Sequence, residues 1–316
     1  MPQDIEKASP DVSIVVPLFS EVRNVRPLIG RLLGTMNSLK LTFEIILVDD
    51  GSPDGTWAVL EEEGRNDCHV KAIRLSRNFG HQHALLAGFA HCRGRAVISM
   101  DGDLQHPPEI IPKMIDKWRE GHEIVNTYRD DSDVSSVFKR IASKYFYKLF
   151  SMMTEVNISE GSSDFRLVDR IVLDNMLAFK DVDLFLRGAT QWLGFSKTTV
   201  PYKAEERFSG ESKYSLWKMI RFSRSAIVSF STKPLIVSIW IGFVTSILAL
   251  IEIVYIVIQY FIGNTVAGWA STLGLLSLLF GVLFVILGII GTYVASIHTA
   301  LQNRPRFVIQ KLINFD

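Results

Sequence analysis

Two long apolar runs near the carboxyl end most constrain what this chain can fold into. Residues 235–262 contain one ionisable side chain, Glu252, and residues 271–297 contain none. A helix needs about 20 apolar residues to cross a bilayer, and each run is longer than that. The sequence therefore predicts two membrane-spanning helices joined by a short loop.

Basic side chains flank this predicted hairpin and are absent from its loop, residues 263–270. They are Arg221, Arg224 and Lys233 before it, and Arg304, Arg306 and Lys311 after it. Because cytoplasmic flanks carry the excess of Lys and Arg, we expect both termini and the preceding domain in the cytoplasm and the loop outside. Glu252 is either a functional intramembrane acid or, as we favour, a residue that pairs within an oligomer or faces the headgroups.

The first 130 residues alternate between strand-like and helix-like patterns. Residues 12–17, 43–48, 70–75, 96–100 and 124–128 read as strands, with helices predicted at 25–39, 81–91 and 108–120. Ser52 is the predicted N-cap of a further helix, with Pro53 at its first position. This alternation predicts an α/β fold with a mostly parallel sheet.

Two acids one residue apart follow the fourth of these strands. Asp101 and Asp103 are separated by Gly102, and Gln105 adds a neutral oxygen. Ligands of parallel sheets bind beyond the carboxyl ends of the strands, and such oxygens suit Mg²⁺ or Mn²⁺ when phosphates complete the shell. The alternative is that both acids only form a turn and cap the next helix.

Other strand ends support a site at this edge of the sheet. Asp49 and Asp50 follow the second strand, and Ser76-Arg77-Asn78 follow the third. The Rossmann and P-loop phosphate motifs are absent, so a metal-bridged nucleotide diphosphate is the simplest use of the acids.

The composition excludes some other classes of protein. A net charge of +1 predicts no nucleic-acid partner. Two cysteines without metal spacing fit a reducing compartment.

The middle of the chain carries basic amphipathic segments. Residues 135–153 and 216–230 interleave apolar and basic side chains, as in helices that lie on a membrane surface.

Two further pairs of polar residues are close in sequence. Asp164 and Arg166 share one face if their segment is a strand. His81 and His83 do not share a helix face, so packing or solvation is expected for them rather than a zinc site.

Several spaced motifs resemble those of family 2 glycosyltransferases of the GT-A fold. They are Pro17-Leu18-Phe19-Ser20-Glu21, Val48-Asp49-Asp50-Gly51-Ser52-Pro53-Asp54-Gly55-Thr56 and Asp101-Gly102-Asp103-Leu104-Gln105-His106-Pro107-Pro108-Glu109. Four further features narrow the resemblance to polyprenyl-phosphate glycosyltransferases, such as bacterial undecaprenyl-phosphate glucosyltransferases and dolichyl-phosphate mannose synthases. They are Ser163-Asp164-Phe165-Arg166, Arg207-x-x-Gly210-x-Ser212-Lys213, the two spans and Asn303-Arg304-Pro305-Arg306.

The resemblance implies a role for each matched residue. The nucleotide base and ribose would contact Pro17, Phe19, Glu21, Val48 and Asp50. The diphosphate would lie at Asp101, Gly102 and Asp103, with Asp101, Asp103 and Gln105 as metal ligands. The phosphates of donor and acceptor would be held by Arg129, Arg207, Ser212 and Lys213. Asp164, with Arg166, would position the sugar. The family usually has Asn in place of Ser20 and Ala in place of Gly102, and neither departure is expected to disturb the site.

The implied activity is an inverting, Mg²⁺- or Mn²⁺-dependent transfer of a sugar to undecaprenyl phosphate, with UDP-glucose as the expected donor. Aminoarabinosyl or mannosyl transfer, and an inactive nucleotide-sugar-binding scaffold, stay open as alternatives. A processive polysaccharide synthase is disfavoured because its Q-x-x-R-W motif is missing. The resemblance also implies a homo-tetramer at the bilayer.

The predicted organisation has four parts. A cytoplasmic GT-A domain spans residues 1–210, and an amphipathic juxtamembrane segment spans 211–232. Two transmembrane helices occupy 233–299, and a cytoplasmic tail ends the chain at 300–316. The predicted location is the cytoplasmic membrane.

Overall fold

The computed structural model describes residues 9–129, 162–179, 186–203, 231–263 and 268–315. Its strands are β1 (Val12–Leu18), β2 (Phe43–Asp49), β3 (Val70–Leu75), β4 (Ala96–Ser99), β5 (Ile124–Arg129), β6 (Ser162–Asp169), β7 (Lys197–Tyr202) and β8 (Ile309–Ile313). Its helices are α1 (Val25–Ser38), α2 (Thr56–Asn66), α3 (His81–His91), α4 (Ile111–Arg119), α5 (Arg170–Leu177), α6 (Leu186–Trp192), α7 (Lys233–Ile262) and α8 (Trp269–Leu301).

The eight strands form one sheet in the order β7-β5-β6-β4-β1-β2-β3-β8. The pairs β1–β2, β1–β4, β2–β3 and β5–β7 are parallel. Only β6 and β8 run against the others, since each pairs antiparallel with its neighbours. The mostly parallel α/β sheet predicted from the sequence is confirmed.

Helices cover both faces of this sheet. Alternate residues of β1 point to opposite sides: Ile14 and Val16 lie in a core with α1, α2 and α4, whereas Val15 lies in a second core with α3, α5 and α6. Every residue of β1 is consequently buried. A strand covered on both faces reads as an unbroken apolar run, and this explains the pattern in the sequence.

The second helix begins later than its sequence predicted. Gly55, at φ +87°, occupies the N-cap position of α2, so the assignment of Ser52 as N-cap and Pro53 as first helical residue is wrong. The hydroxyl of Ser52 instead accepts a hydrogen bond from the backbone N–H of Ser20, at 3.0 Å. Ser52 therefore joins the loop after β2 to the loop after β1 instead of capping a helix.

The two apolar runs form helices α7 and α8, which are long and apolar enough to cross a membrane. Their side chains are mostly exposed. The helices lie side by side: the Tyr293 hydroxyl of α8 donates to the carbonyl of Ser231, just before α7, at 2.7 Å. The predicted amphipathic segment 135–153 and almost all of 211–232 lie outside the described residues.

The tail beyond α8 returns to the sheet. Strand β8 pairs antiparallel with β3, and Asn314 just after it donates to the carbonyls of Val70 (2.8 Å) and Gly64 (2.5 Å). The Phe315 ring meets the His91 ring edge-on, with centroids 5.9 Å apart. Residues that the sequence analysis assigned to a tail therefore complete the sheet.

Candidate active site at the carboxyl edge of the sheet

The order of the strands places a crevice beside β1. From β1 the chain proceeds through β2 to β3 on one side, whereas β4 lies on the other side. Ligands of open α/β sheets bind at such a reversal, beyond the carboxyl ends of the strands. Asp101 and Asp103 follow β4, and Phe19 follows β1. The paired acids thus flank the reversal.

The acidic loop is closed by His106. Its Nδ1 accepts a hydrogen bond from the backbone N–H of Asp101 at 3.0 Å, so the proton of a neutral ring lies on Nε2. That nitrogen is 3.7 Å from Asp101 Oδ2. The buried ring stacks on Phe165, with centroids 5.2 Å apart, and meets Tyr202 edge-on. Aromatic packing thereby fixes the loop that carries Asp101.

Leu104 gives the same loop its sharp turn. Its φ of +63° is left-handed, which costs a non-glycine residue about 1 kcal/mol. The side chain is only 4% exposed and belongs to the core beneath the sheet edge. Burial of this leucine therefore holds the strained turn, while the backbone N–H of Gln105 donates to Asp103 Oδ1 at 3.2 Å.

Gly102 has a buried side chain packed directly against it, contrary to the expectation that Ala would be equivalent. A Cβ at this position would lie 2.2 Å from Leu18 Cδ2 and 3.4 Å from the Pro17 carbonyl oxygen. Leu18 is fully buried. The leucine at the end of β1 therefore fills the space that an alanine would need between the two acids.

Hydrogen bonds join the loops after β1 and β2. The backbone N–H of Glu21 donates to Thr56 Oγ1 (3.2 Å), and that of Val22 donates to Asp54 Oδ2 (3.3 Å). The Glu21 carboxylate accepts from Asn24 Nδ2 at 2.5 Å. Phe19 is 37% exposed at this edge, whereas Pro17 and Val48 are buried in the strands. Asp54 and Thr56, in the motif after Asp50, therefore hold the loop that follows Phe19.

Asp50 holds the start of α3. Its Oδ1 accepts from the backbone N–H of Phe79 at 2.7 Å, and its Oδ2 accepts from that of Gly80 at 2.9 Å. Burial raises the pKa of this carboxyl group, and the two amide hydrogen bonds oppose that rise. Asp50 therefore orients the turn that leads to His81.

Asp164 is the centre of a cationic cluster. Its carboxylate forms a two-point salt bridge with Arg187, in which Nε and Nη2 each lie 2.7 Å from an oxygen. Arg166 Nη2 is 3.3 Å from Oδ1, as the shared strand face predicted. Burial alone would raise the pKa of Asp164, but the charges of Arg187 and then Arg166 reverse this and hold it well below its usual range.

His81 connects this cluster to the acidic loop. Its Nε2 lies 3.5 Å from Asp101 Oδ1 and 3.8 Å from Asp164 Oδ2. The His81 side chain is 43% exposed, as expected for a solvated residue, but its position between two carboxylates was not predicted. Helix periodicity correctly separated it from His83, but it could not show that the first turn of α3 points at the acids.

Sequence comparison shows the family of this chain. The family model for glycosyl transferase family 2 matches residues 13–177. The chain belongs to glycosyl transferase family 2. An uncharacterised glycosyltransferase of Bacillus subtilis, YkcC, is 39% identical over 302 residues, covering 95% of this chain and 93% of that one. The bactoprenol glucosyl transferase derived from prophage SfII in Shigella flexneri is 36% identical, covering 95% and 97%.

Among solved structures, a glucosyl-3-phosphoglycerate synthase of Mycobacterium tuberculosis aligns with a TM-score of 0.48 at 16% identity, covering 70% of this chain and 79% of that one. The mostly parallel sheet and the family together make this a GT-A fold glycosyltransferase with two apolar carboxyl-terminal helices.

Some residues that family resemblance assigned to the phosphates lie outside the described part of the chain. Arg207, Ser212 and Lys213 belong to this group. Arg129 ends β5, whose carboxyl end is at the same edge as Asp101, but only its backbone is described. The phosphate-binding roles of these four residues stay predictions.

The acidic loop offers oxygen ligands suited to a divalent cation. The Asp101 side chain is 35% exposed, and Asp103 and Gln105 are partly exposed beside it. Carboxylate and amide oxygens are the donors that Mg²⁺ and Mn²⁺ prefer. In the described residues, one trio of His, Cys, Asp or Glu has its ligand atoms within 4.8 Å of one another: Asp67, Cys68 and His69, at the opposite edge. A cation at the acidic loop would thus need further oxygens, which a diphosphate has.

Proposed function

We propose that this family 2 enzyme transfers a sugar from a nucleotide diphosphate to a polyprenyl phosphate at a membrane surface. The observation that carries the proposal is that the chain leaving the apolar helices reaches the sheet at the same edge as the acids. The relatives named bactoprenol glucosyl transferase, which align over nearly the whole chain, support the same substrate pair.

The path of the chain after α8 shows this proximity. The helix ends at Leu301, and Arg306 already donates to the carbonyl of Phe179. Two residues later the carbonyl of Val308 accepts from the backbone N–H of Ser76, which follows β3. Ser76 is at the carboxyl edge, where the acids lie. An acceptor phosphate on a lipid held among the apolar helices would be near that edge.

The acidic loop would receive the leaving diphosphate. Asp101, Asp103 and Gln105 would hold Mg²⁺ or Mn²⁺, and the bound cation would neutralise the charge that develops on the diphosphate. His106 and Leu104 keep this loop in one conformation. The loop therefore binds and orients, and no proton transfer is required of it.

Asp164 would orient the sugar rather than abstract a proton. Both of its oxygens are bound by Arg187, and its depressed pKa makes it a weak base. A phosphate monoester has a second pKa of about 6, so the acceptor is already largely dianionic at neutral pH. Direct attack by that oxygen inverts the anomeric carbon. Glucose carried on UDP is the donor that we propose, because the named relatives transfer glucose.

The test is transfer by the purified full chain in liposomes that contain undecaprenyl phosphate. A panel of UDP-glucose, GDP-mannose and a UDP-aminoarabinose donor identifies the sugar by formation of radiolabelled lipid. We expect UDP-glucose to be used and a soluble phosphate monoester to be a poor acceptor. Equal rates with the soluble acceptor would refute the lipid assignment, and preference for another sugar would correct the donor.

Asp103→Asn tests the acidic loop. It should lower kcat by about 100- to 1,000-fold, because a charged ligand of the diphosphate site is lost, while the melting temperature stays near that of the wild type. Asp116→Asn, the same change on an exposed position of α4, is the matched control. Wild-type turnover by the Asp103 variant would remove this residue from the mechanism.

We also propose that the catalytic domain lies on the cytoplasmic side of the membrane. The basic flanks of the two apolar helices support this orientation. Protease added to intact cells should leave the domain uncut, whereas inverted vesicles should expose it. Cleavage in intact cells would reverse the orientation.

A further inference from the structure

Arg187 contacts both oxygens of the Asp164 carboxylate from a distant position in the sequence. It lies in the first turn of α6, twenty-three residues after its partner Asp164. Parallel contacts from Nε and Nη2 determine both the position and the plane of the carboxylate. The two side chains are 25% and 15% exposed, so the pair is largely withdrawn from water.

The other cation of the cluster does not duplicate this role. Arg166 makes a single contact with Asp164 at 3.3 Å, and its Nη1 donates to Thr190 Oγ1 at 3.0 Å. Thr190 in turn donates to the carbonyl of Arg187 at 3.0 Å. Burial lowers the pKa of Arg166 to about 10. Arg166 therefore ties β6 to the first turn of α6, and among the described residues Arg187 is the one that hydrogen-bonds both carboxylate oxygens.

The start of α6 is also held against α3. The backbone N–H of Leu186 donates to Gln82 Oε1 at 3.2 Å, one residue after His81, whose Nε2 faces both Asp101 and Asp164. Three elements thus converge on one carboxylate. A change at Arg187 would leave Asp164 with the single, longer contact to Arg166 and the 3.8 Å approach of His81, neither of which fixes the plane of the carboxylate.

We propose that Arg187 is a positioning residue for sugar transfer, which acts by holding the Asp164 carboxylate in the orientation that faces the acidic loop. This rests on the proposed function, because it assigns Asp164 to the sugar. The residue is expected to affect the transfer step more than donor binding, because the donor diphosphate lies at the acidic loop.

A double-mutant cycle in the liposome assay tests the proposal. Arg187→Gln should lower kcat by about 100-fold, the usual effect of misplacing a reacting group by about 1 Å, with the KM for the donor changed by less than about 3-fold. In an Asp164→Asn background the same change should cost less than about 3-fold, since the group that it positions is gone. Additive losses in the cycle would overturn the proposal.

Arg187→Lys separates charge from geometry. Lysine keeps the positive charge but cannot bind both oxygens in one plane, so we expect most of the loss in kcat to persist. Full recovery would show that only the charge matters and would refute a positioning role. Arg26→Gln, which removes an exposed pair with Glu62 and Glu63, is the control for loss of an Arg–carboxylate contact.

An infrared measurement on Asp164 needs no substrate. It therefore tests the role of Arg187 even if the proposed transfer reaction is wrong. In Arg187→Gln, the charged or titratable groups of the described residues that still face Asp164 are Arg166 on β6 and His81 on α3. At pH 5, the infrared difference spectrum between Arg187→Gln and Arg187→Gln/Asp164→Asn should show a protonated carboxyl band, because these two groups alone then oppose the effect of burial. The corresponding difference between the wild type and Asp164→Asn should lack it. Absence of the band from both differences refutes the control of Asp164 by Arg187, whereas absence of transfer by the wild type refutes only the proposed function.

Discussion

Gly102→Ala should destabilise the protein and displace the acids on either side of it. The new Cβ would lie 2.2 Å from Leu18 Cδ2, which must move by more than 1 Å to reach ordinary contact. Leu18 is 1% exposed, so its side chain has no open space to enter. Overpacking of this kind costs about 1–3 kcal/mol. That corresponds to a melting temperature lower by about 3–8 °C for a unit of this size.

The assay is thermal unfolding of the full chain in detergent, together with kcat in liposomes. Leu18→Ala alone should cost about 2–5 kcal/mol. The double variant should lose less than the sum by about 1 kcal/mol, since the alanine at 102 then occupies the vacated space. Gly34→Ala, on an exposed turn of α1 with nothing within 4 Å of its Cβ, should raise the melting temperature instead. An unchanged Gly102→Ala variant, or an additive cycle, would refute the packing argument.

Two further predictions concern Asp164 and the strand after α8. Because the pKa of Asp164 is held below its unfolded value of about 3.9, its stabilisation is present above that pH and is lost as the pH falls further. Asp164→Asn should therefore flatten the decline in melting temperature between about pH 5 and pH 3, and an unchanged slope would contradict this. Asn314→Gly should cost about 1–2 kcal/mol through its lost amide contacts. Asn314→Ala should cost more, because its φ of +61° then strains an alanine; equal melting temperatures for the two variants would exclude the backbone contribution.

The sequence predicted correctly those strands and helices whose bounds are set by residues within or next to the segment itself. Strand β3 and helix α3 begin and end at the predicted residues, because apolar side chains recur along β3 and Gly80 precedes the first residue of α3. The period of two along a strand likewise placed Arg166 beside Asp164. In these cases a single stretch of chain contains all the information.

Contacts between distant segments could not be read in this way. Arg187 meets Asp164 only because α6 packs behind β6, and β8 is a strand only because the edge of β3 is available. A backbone angle is equally hidden: Ser20 has φ +57°, a conformation that Asn adopts more readily, which explains the usual Asn of the family at this position. The loop contact from Ser20 to Ser52 depends on that angle.

The direction of β8 brings the two halves of the proposed function to one edge. Since β8 runs antiparallel to β3, the chain that leaves α8 must reach the sheet at the carboxyl end of β3, beside Ser76. A parallel strand would be entered from the opposite edge, about 20 Å away for a strand of six residues. The end of α8 would then lie on the far side of the domain from Asp101. An antiparallel last strand would therefore keep the proposed lipid-bound acceptor on the same edge of the sheet as the acids.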